Sequence, residues 1–523
     1  MGLVSAVGTT VRFAAELPGF FRSVITADEA AALVRRGMER REQAFQEMVE
    51  QAILPHSTSP YRVLLANAGV EAGDIKHLVA RQGVEGALEH LRRAGVYVTF
   101  EEFKGRAPAR RGSQTFYFRD RDFDNPRVGA HLQASSGGSS GRPTHLRIGL
   151  AHAAQQAPHW ALWFAAHDVL DSPLIFWTPF HAGIASRLLM CARFGQRYTK
   201  WFTMGGGGSL RDRTRTAVVI ALVRGAGRLP APEFIPLNQA GRIGVYLVQL
   251  LETGARPAVN TAPSSAARVA LAAQARGHSL AGVTFLLGAE PLTLARKQTI
   301  EASGARAIPC YGFSEGGGVG AQCVTPRVED DVHVFLDAFA VITHPRPVVQ
   351  EVTVQAYLLT SLRPAVPKVM LNAEIGDFGA LERRQCGCPW DALGYAAHLH
   401  TIRSVDKLTG EGVTFVGADL DHLLEETLPR RFGGGVGDYQ LLEEQDARGI
   451  PRYVLVVSPA VGHVDEDAVR KAFLDHLRGL RGWSHYALMA DMWRQAGILQ
   501  VRRAQPQTTA QGKVFPFRTL VSR

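Results

Sequence analysis

The sequence predicts an α/β fold: a large N-terminal domain of mostly parallel strands flanked by helices, a strand-rich subdomain, and a small α+β C-terminal domain. Three observations carry that expectation. Short apolar runs alternate with helical runs from about residue 174 to residue 311, the pattern of strands joined through covering helices. Beyond about residue 345, stretches such as 352–359 and 366–371 read as strands with little helix between them. After residue 453 the order strand, helix, strand suits a compact α+β unit. A chain of 523 residues exceeds one ordinary core, so more than one such unit is expected.

Taken in order, residues 11–21 are apolar around Glu16 with no cationic lead-in, which suits an amphipathic helix rather than a secretory leader. Residues 27–55 read as one helix, with Thr26 or Asp28 as N-cap and Pro55 closing it. Two shorter helices are expected over 60–95, a strand over 96–100, and an irregular charged and aromatic connection over 104–127. The lead-in 1–127 is thus mostly helical. After a glycine-rich turn at 135–144, an alanine-rich helix is expected over 148–169. Strand 174–178 and helix 183–194 follow, while for 217–223 periodicity does not choose between strand and buried helix. Next come helix 242–252, extended 258–259, helix 266–276, strand 282–287, helix 293–303 and extended 307–311. Turn signals fill 403–417, and helix 420–428, strand 453–458, helix 466–479 and strand 498–501 complete the C-terminal unit. The boundary between the large domain, 1–402, and the small one, 403–523, is expected at 402–406.

Composition narrows the function. The chain is 46% hydrophobic and 20% charged, which excludes wholesale disorder. A net charge of +10 suits phosphorylated or acidic ligands, yet the basic residues are scattered and no nucleic-acid-binding signature occurs. No apolar stretch reaches the length of a membrane span. Five cysteines in so long a chain do not make a disulfide framework, so a reducing cytoplasm is expected.

The turn at 135–144, Ser-Ser-Gly-Gly-Ser-Ser-Gly-Arg-Pro-Thr, is the most distinctive stretch. Three glycines let the backbone approach a ligand closely, while the hydroxyls and Arg142 add donors and positive charge. Backbone N–H groups in such a turn converge on an anion, so it reads as a phosphate cradle; it reads equally as a solvated linker. It is not a Walker A loop, because no Gly-Lys-Ser/Thr ends it. Four further motifs follow in order: Gly288-Ala289-Glu290-Pro291, Tyr311-Gly312-Phe313-Ser314-Glu315, Gly376-Asp377, and Gln511-Gly512-Lys513. Alone each is bland. Tyr311 suits a core aromatic with its hydroxyl at the rim, Glu315 a helix N-terminal carboxylate, Gly376-Asp377 a turn, and Lys513 a solvated charge.

In this order the motifs resemble those of the adenylate-forming superfamily of acyl- and aryl-CoA ligases, peptide-synthetase adenylation domains and luciferases. Within it the chain looks most like the phenylacetate–CoA ligase branch, over roughly residues 128–523. The resemblance implies that a carboxylate attacks the α-phosphate of ATP, giving an acyl-adenylate and pyrophosphate, and that a thiol then takes the acyl group. It implies that Ser136, Gly138, Ser139, Ser140, Gly141 and Thr144 grip the β- and γ-phosphates. Gly288, Ala289, Glu290, Pro291, Tyr311, Gly312 and Ser314 would border the adenine, with Tyr311 stacked on the base. Asp377 would accept hydrogen bonds from both ribose hydroxyls, for which two carboxylate oxygens are suited. Glu315 would bind Mg2+, a hard cation that prefers oxygen. Lys513 would bridge the carboxylate and the α-phosphate. Arg403 would belong to the hinge on which a mobile C-terminal domain turns. Two departures stand out: Val405 replaces the first acidic hinge residue, leaving Asp406, and Ala373-Glu374-Ile375 stands where the branch carries basic residues.

Cys386 and Cys388 form a Cys-x-Cys pair on an expected hairpin, with Cys323 and His333 well upstream. Three sulfurs and one imidazole make a tetrahedral set for structural zinc, although the spacing is not that of a standard finger. Ordinary buried thiols with a surface histidine are the alternative. Members of the branch carry a zinc built this way, so the resemblance implies a closed, non-catalytic zinc here. Cys191 and Cys310 read as core residues.

The resemblance also places an acyl pocket at Trp177, Phe180, His181, Ala182, Gly183 and Ile184, with Gly205, Gly206 and Gly207 opposite. Aromatic and small residues suit a flat or apolar acid, and no acidic side chain in 177–184 would greet an α-amino group. His181 suits either a substrate hydrogen bond or a satisfied histidine at a strand end. For the acceptor, CoA stands first and the phosphopantetheine of a carrier protein second. A binding homologue without turnover is a third reading, against which Glu315, Asp377 and Lys513 together speak. The helical lead-in would suit a homodimer.

Overall fold

The computed structural model describes residues 3–129, 131–135, 145–179, 183–196, 198–204, 217, 221, 230–349, 352–404, 407–410, 413–416, 420, 422–435, 437–448, 450–479, 484–507 and 517–519. Apolar runs buried on both faces build its centre, a twelve-stranded mixed sheet. From one edge the strands are Phe339–Val349, Val352–Ser361, Ala373–Arg383, Ala397–Ser404, Val332–Val334, Gly317–Gln322, Arg306–Phe313, Thr284–Leu287, Ala258–Thr261, Leu174–Thr178, Tyr198–Thr203 and Glu233–Phe234. The last six are parallel to one another. The others run antiparallel, so the strand-rich part continues the same sheet.

Within the parallel half the chain starts in the middle, at Leu174–Thr178, and moves out one side through Tyr198–Thr203 to Glu233–Phe234. It then returns to the other side with Ala258–Thr261, Thr284–Leu287 and Arg306–Phe313. That winding is a doubly wound sheet whose direction reverses between Leu174–Thr178 and Ala258–Thr261. The connecting helices begin on local signals: Pro263 occupies the first turn of Pro263–Gln274, and the Thr293 side chain caps Leu294–Glu301.

Four expectations are corrected. Residues 27–55 are capped by Thr26 as expected, but the helix breaks at Arg40 into Ala27–Glu39 and Arg41–Met48, followed by a π-helical turn. There Arg41 turns inward to the Leu336 carbonyl at 2.6 Å and to Glu85. The strand expected at 96–100 is a single bridge from Val98 to Ala373, because Thr99 and Glu102 form a capping box and start a short helix. The irregular 104–127 connection contains a small hairpin, Ala109–Arg111 with Gln114–Phe116, anchored by the buried Arg111–Glu102 pair. Residues 366–371 are no strand. Beside Pro364 and Pro367 only Lys368 bridges, to Asp124, and its ammonium is fully buried.

The C-terminal unit is α+β: a four-stranded sheet ordered Leu499–Arg503, Pro451–Val457, Tyr439–Gln445, Phe517–Thr519, with helices Glu466–Gly479 and Ser484–Ala496. Tyr453 stacks on Trp493 at 4.1 Å in its core. Among the described residues no helix is long and apolar enough to cross a membrane.

Candidate active site and metal centre

In doubly wound sheets ligands bind outside the carboxyl ends of the strands, where the winding reverses. A cavity of about 310 Å³ lies there. Trp177 and Thr178 from one strand end and Asn260, Thr261 and Ala262 from the next form its floor. Gly288 and Ala289, then Tyr311, Gly312 and Ser314, line it beyond them. Ile184, Arg187, Gln156 and Trp160 come from the covering helices.

The backbone at this rim is specialised. Ala289 sits at φ +70°, a left-handed conformation that costs a non-glycine residue about 1–3 kcal/mol and tends to be kept at functional sites. The register shifts between Tyr311 and Gly312, and a Cβ on Gly312 would fall 2.6 Å from the Gly317 carbonyl oxygen. This bulge re-aims Tyr311 where the sheet changes from parallel to antiparallel. The Tyr311 hydroxyl donates to Oδ2 of Asp377 at 2.9 Å, and the Ser404 hydroxyl donates to Oδ1. Burial first, and the Asp377 charge next, hold the Tyr311 phenol well above its usual range.

Glu315 lies in the turn after Arg306–Phe313, not at a helix start, and forms a buried ion pair with Lys104. Burial alone would raise its pKa; the Lys104 charge and hydrogen bond outweigh that and hold it at about 2. The charges continue outward. Lys368 Nζ lies 3.0 Å from Asp124 Oδ1, and Arg147 lies 3.2 Å from Asp124 Oδ2. Arg147 also lines the cavity, and it sits on the hairpin His131–Ser135 with His145–Gly149 that flanks the glycine-rich turn. Glu315, the cavity and that turn's flanks therefore belong to one neighbourhood.

Other expected residues face elsewhere. Glu290 is turned into the helix layer, where its carboxylate accepts from Ser264 Oγ at 2.9 Å and pairs with Arg296 at 3.1 Å. A fully buried carboxylate has to be paired, so its side chain does not border the cavity. Neither Glu290 nor Pro291 lines it. Arg403 pairs with Asp330 at 3.1 Å, and Asp330 also accepts from the Thr401 and Ile402 N–H groups. Glu374 is buried against Arg346 and His344, so the acidic departure beside Asp377 is neutralised. Cys310, expected in the core, is half-buried and lines the cavity. Ser136, Gly138, Ser139, Ser140, Gly141, Thr144, Phe180, His181, Gly205, Gly206 and Lys513 lie outside the described residues. Sequence reasoning missed Lys104, Arg147, Lys368 and Arg187. Only Arg187 left a signal, as a lone charge in the otherwise apolar Gly183–Ala192 helix.

The second centre is the cysteine–histidine group. The donor atoms of Cys323, His333, Cys386 and Cys388 all lie within 4.8 Å of one another. Cys323 Sγ is 3.4 Å from Cys386 Sγ, and His333 Nε2 is 3.1 Å from Cys388 Sγ and 3.4 Å from Cys386 Sγ. The His333 Nδ1–H donates to the Tyr395 carbonyl at 2.6 Å, which leaves Nε2 as the ligand atom. The Cys388 thiol first, and His333 next, hold the Cys323 thiol below its usual range. These four residues fit a metal ion: soft, closely spaced, oriented donors with no open position. Zinc at about 2.3 Å from each sulfur sets the sulfurs about 3.7 Å apart, within the 4.8 Å spread of the four donors. Cys323 follows the strand after Glu315, while Cys386 and Cys388 follow the strand that carries Asp377. A metal here would clip those two strands together.

No protein-family model matches the chain, and no curated protein matches it. Solved structures similar to it include a mutant of the amide bond synthetase Mcba from Marinactinospora thermotolerans, at 13% identity over 92% of this chain and 97% of that one, with a TM-score of 0.40. Another is the acyl-CoA synthetase (AMP-forming)/AMP-acid ligase II-like protein from Dyadobacter fermentans, at 15% identity over 73% and 87%, TM-score 0.29. A third is McyG A-PCP complexed with phenylalanyl-adenylate, at 12% identity over 85% and 72%, TM-score 0.34. At these scores the likenesses carry no argument about chemistry, which is read from the site's own residues.

Proposed function

We propose that this chain is an adenylate-forming enzyme. It activates an aryl or apolar carboxylic acid with ATP to an acyl-adenylate and pyrophosphate, and passes the acyl group to a thiol, CoA first. One observation carries the reading. Gly288, Ala289, Tyr311, Gly312 and Ser314, whose motifs resemble the family's nucleotide edges, share one cavity with Trp177 and Ile184 of the expected acyl pocket. That cavity lies where a doubly wound sheet binds ligands.

The chemistry brings two anions together, so the protein's task is to neutralise charge and align the groups. Asp377, held between Tyr311 and Ser404 behind the cavity lining, would offer its carboxylate to a ribose diol. The carboxylate of Glu315 would hold Mg2+, which neutralises phosphate charge, once Lys104 shifts aside; Cys323, His333, Cys386 and Cys388 would hold zinc. The glycine-rich turn would cradle the phosphates beside Arg147. Lys513, on a C-terminal lid formed by 403–523, would stabilise the charge that develops as the carboxylate attacks. The low cysteine content, five in 523 residues, supports a reducing compartment such as the cytoplasm.

Pyrophosphate release with a panel of aryl and aliphatic acids, with and without CoA, tests the reading. Acid-dependent release with CoA-thioester formation is expected. Release without the thioester, but with acylation of a carrier protein, would move the acceptor to phosphopantetheine. No release with any acid would sink adenylation altogether.

A further inference from the structure

We propose that Arg187 makes the cavity selective for acids that carry a second anionic group, at the end away from the carboxylate that is activated. This rests on the adenylation reading only for which carboxylate reacts. Among the described lining residues the ionisable side chains near neutrality are Arg147, His152 and Arg187, and there is no aspartate or glutamate. Arg147 is already engaged by Asp124 and the Asn125 carbonyl. His152 is neutral at pH 7, because burial and the nearby Arg363 lower its pKa to about 3. That leaves Arg187.

The Arg187 guanidinium stacks over the Trp160 ring at 4.0 Å. Its Nη1 is buried without a hydrogen-bond partner among the described residues, as are Trp160 Nε1 and Thr178 Oγ1, all on lining residues. Leaving one such group unpaired costs about 1–3 kcal/mol, so three on residues that line one cavity point to a ligand that supplies acceptors. A guanidinium fork matches a carboxylate in two parallel hydrogen bonds and, unlike an ammonium, keeps that geometry when stacked.

Depth separates this group from the reacting one. Helix Gly183–Ala192 starts beyond the carboxyl end of strand Leu174–Thr178 and runs back along it, and Ile184, Arg187 and Met190 line the cavity at successive turns. Gly288 and Ala289 instead follow the carboxyl end of their own strand. Arg187 thus sits below the rim at which the nucleotide is expected, and a carboxylate that reaches it is the distal one.

Calorimetric titration of the full chain without ATP decides the point, using terephthalate, the isosteric but singly charged 4-nitrobenzoate, and 4-(aminomethyl)benzoate. Terephthalate should bind about tenfold or more tightly than 4-nitrobenzoate, and the amine should bind weakest. R187M, which keeps the stem against Trp160, should abolish that preference and leave 4-nitrobenzoate affinity within about threefold. R187K should retain part of the preference and guards against a folding defect in R187M. Equal affinities in the native chain, no binding of any acid, or a preference that survives R187M would overturn the assignment. Pyrophosphate release is measured separately. Preference without turnover sinks adenylation but keeps Arg187, and turnover without preference does the reverse.

Discussion

The Tyr311 hydroxyl donates to Asp377 across 66 positions of sequence, at 2.9 Å. Two motifs that read separately as a nucleotide edge and a turn are thereby one unit: the phenol fixes one carboxylate oxygen, and the Ser404 hydroxyl fixes the other. Removing the phenol should loosen the carboxylate without emptying the cavity. Tyr311→Phe is expected to raise the KM for ATP about tenfold, in line with a hydrogen bond to a charged acceptor, and to leave the KM for the acid unchanged. Steady-state pyrophosphate release checks this, and an unaltered ATP KM would remove Asp377 from the nucleotide site.

Lys104 and Glu315 form a pair whose side chains are only 7% and 9% exposed. Lys104→Met leaves a buried carboxylate without its cation and should destabilise the fold by about 3–5 kcal/mol. Replacing both residues by methionine should recover most of that. Urea unfolding of the two variants gives the comparison, and equal losses would mean the pair is not a coupled unit.

The same pair sets an acid limit. The Glu315 carboxyl is held at about 2 against an ordinary 4.5, so its contribution is complete above pH 4.5 and lost as the pH falls towards 2. Glu315→Gln should therefore flatten the fall in stability over that window. Acid-unfolding curves with the same slope for both proteins would contradict the low value.

Zinc analysis of the purified chain should find close to one ion per molecule. The Cys386→Ser, Cys388→Ser double variant should lose it and melt at a lower temperature, because binding free energy at such a site is folding free energy. A metal-free protein with an unchanged Tm would show that the four donors merely pack together.

Lys513→Ala should lower the adenylation rate about 10²–10³-fold, the usual effect of removing one preorganised stabilising group. Thioester formation from supplied acyl-adenylate should largely survive. Equal loss of both half-reactions would contradict the assigned role.

Much of this was legible in the residues themselves. Buried strands such as Leu174–Thr178 and Thr284–Leu287 announce themselves as apolar runs, and caps such as Thr26 and Thr293 sit where their hydroxyls start helices. Three cysteines and a histidine form a chemically complete set before any contact is known, and they converge. The failures share a cause. Residues 366–371 look like a strand because valine, methionine and leucine dominate, yet the segment is bent around the buried Lys368 ammonium. Glu290 sits in a motif that suggests a ligand edge, yet Ser264 and Arg296 turn it inward.

Local periodicity determined the elements, and the order of the motifs, by its resemblance to the adenylate-forming family, marked which of them should meet a ligand. Only the tertiary structure decided that the parallel strands wind outward from Leu174–Thr178 in both directions, and so where the cavity lies. It alone paired Lys104 with Glu315, joined Tyr311 to Asp377, and left Arg187 stacked on Trp160 with no carboxylate paired to it among the described residues. The reason is physical: a side chain's alternation along the chain reports which face is buried. Which charge meets which depends on desolvation among residues that only folding brings together.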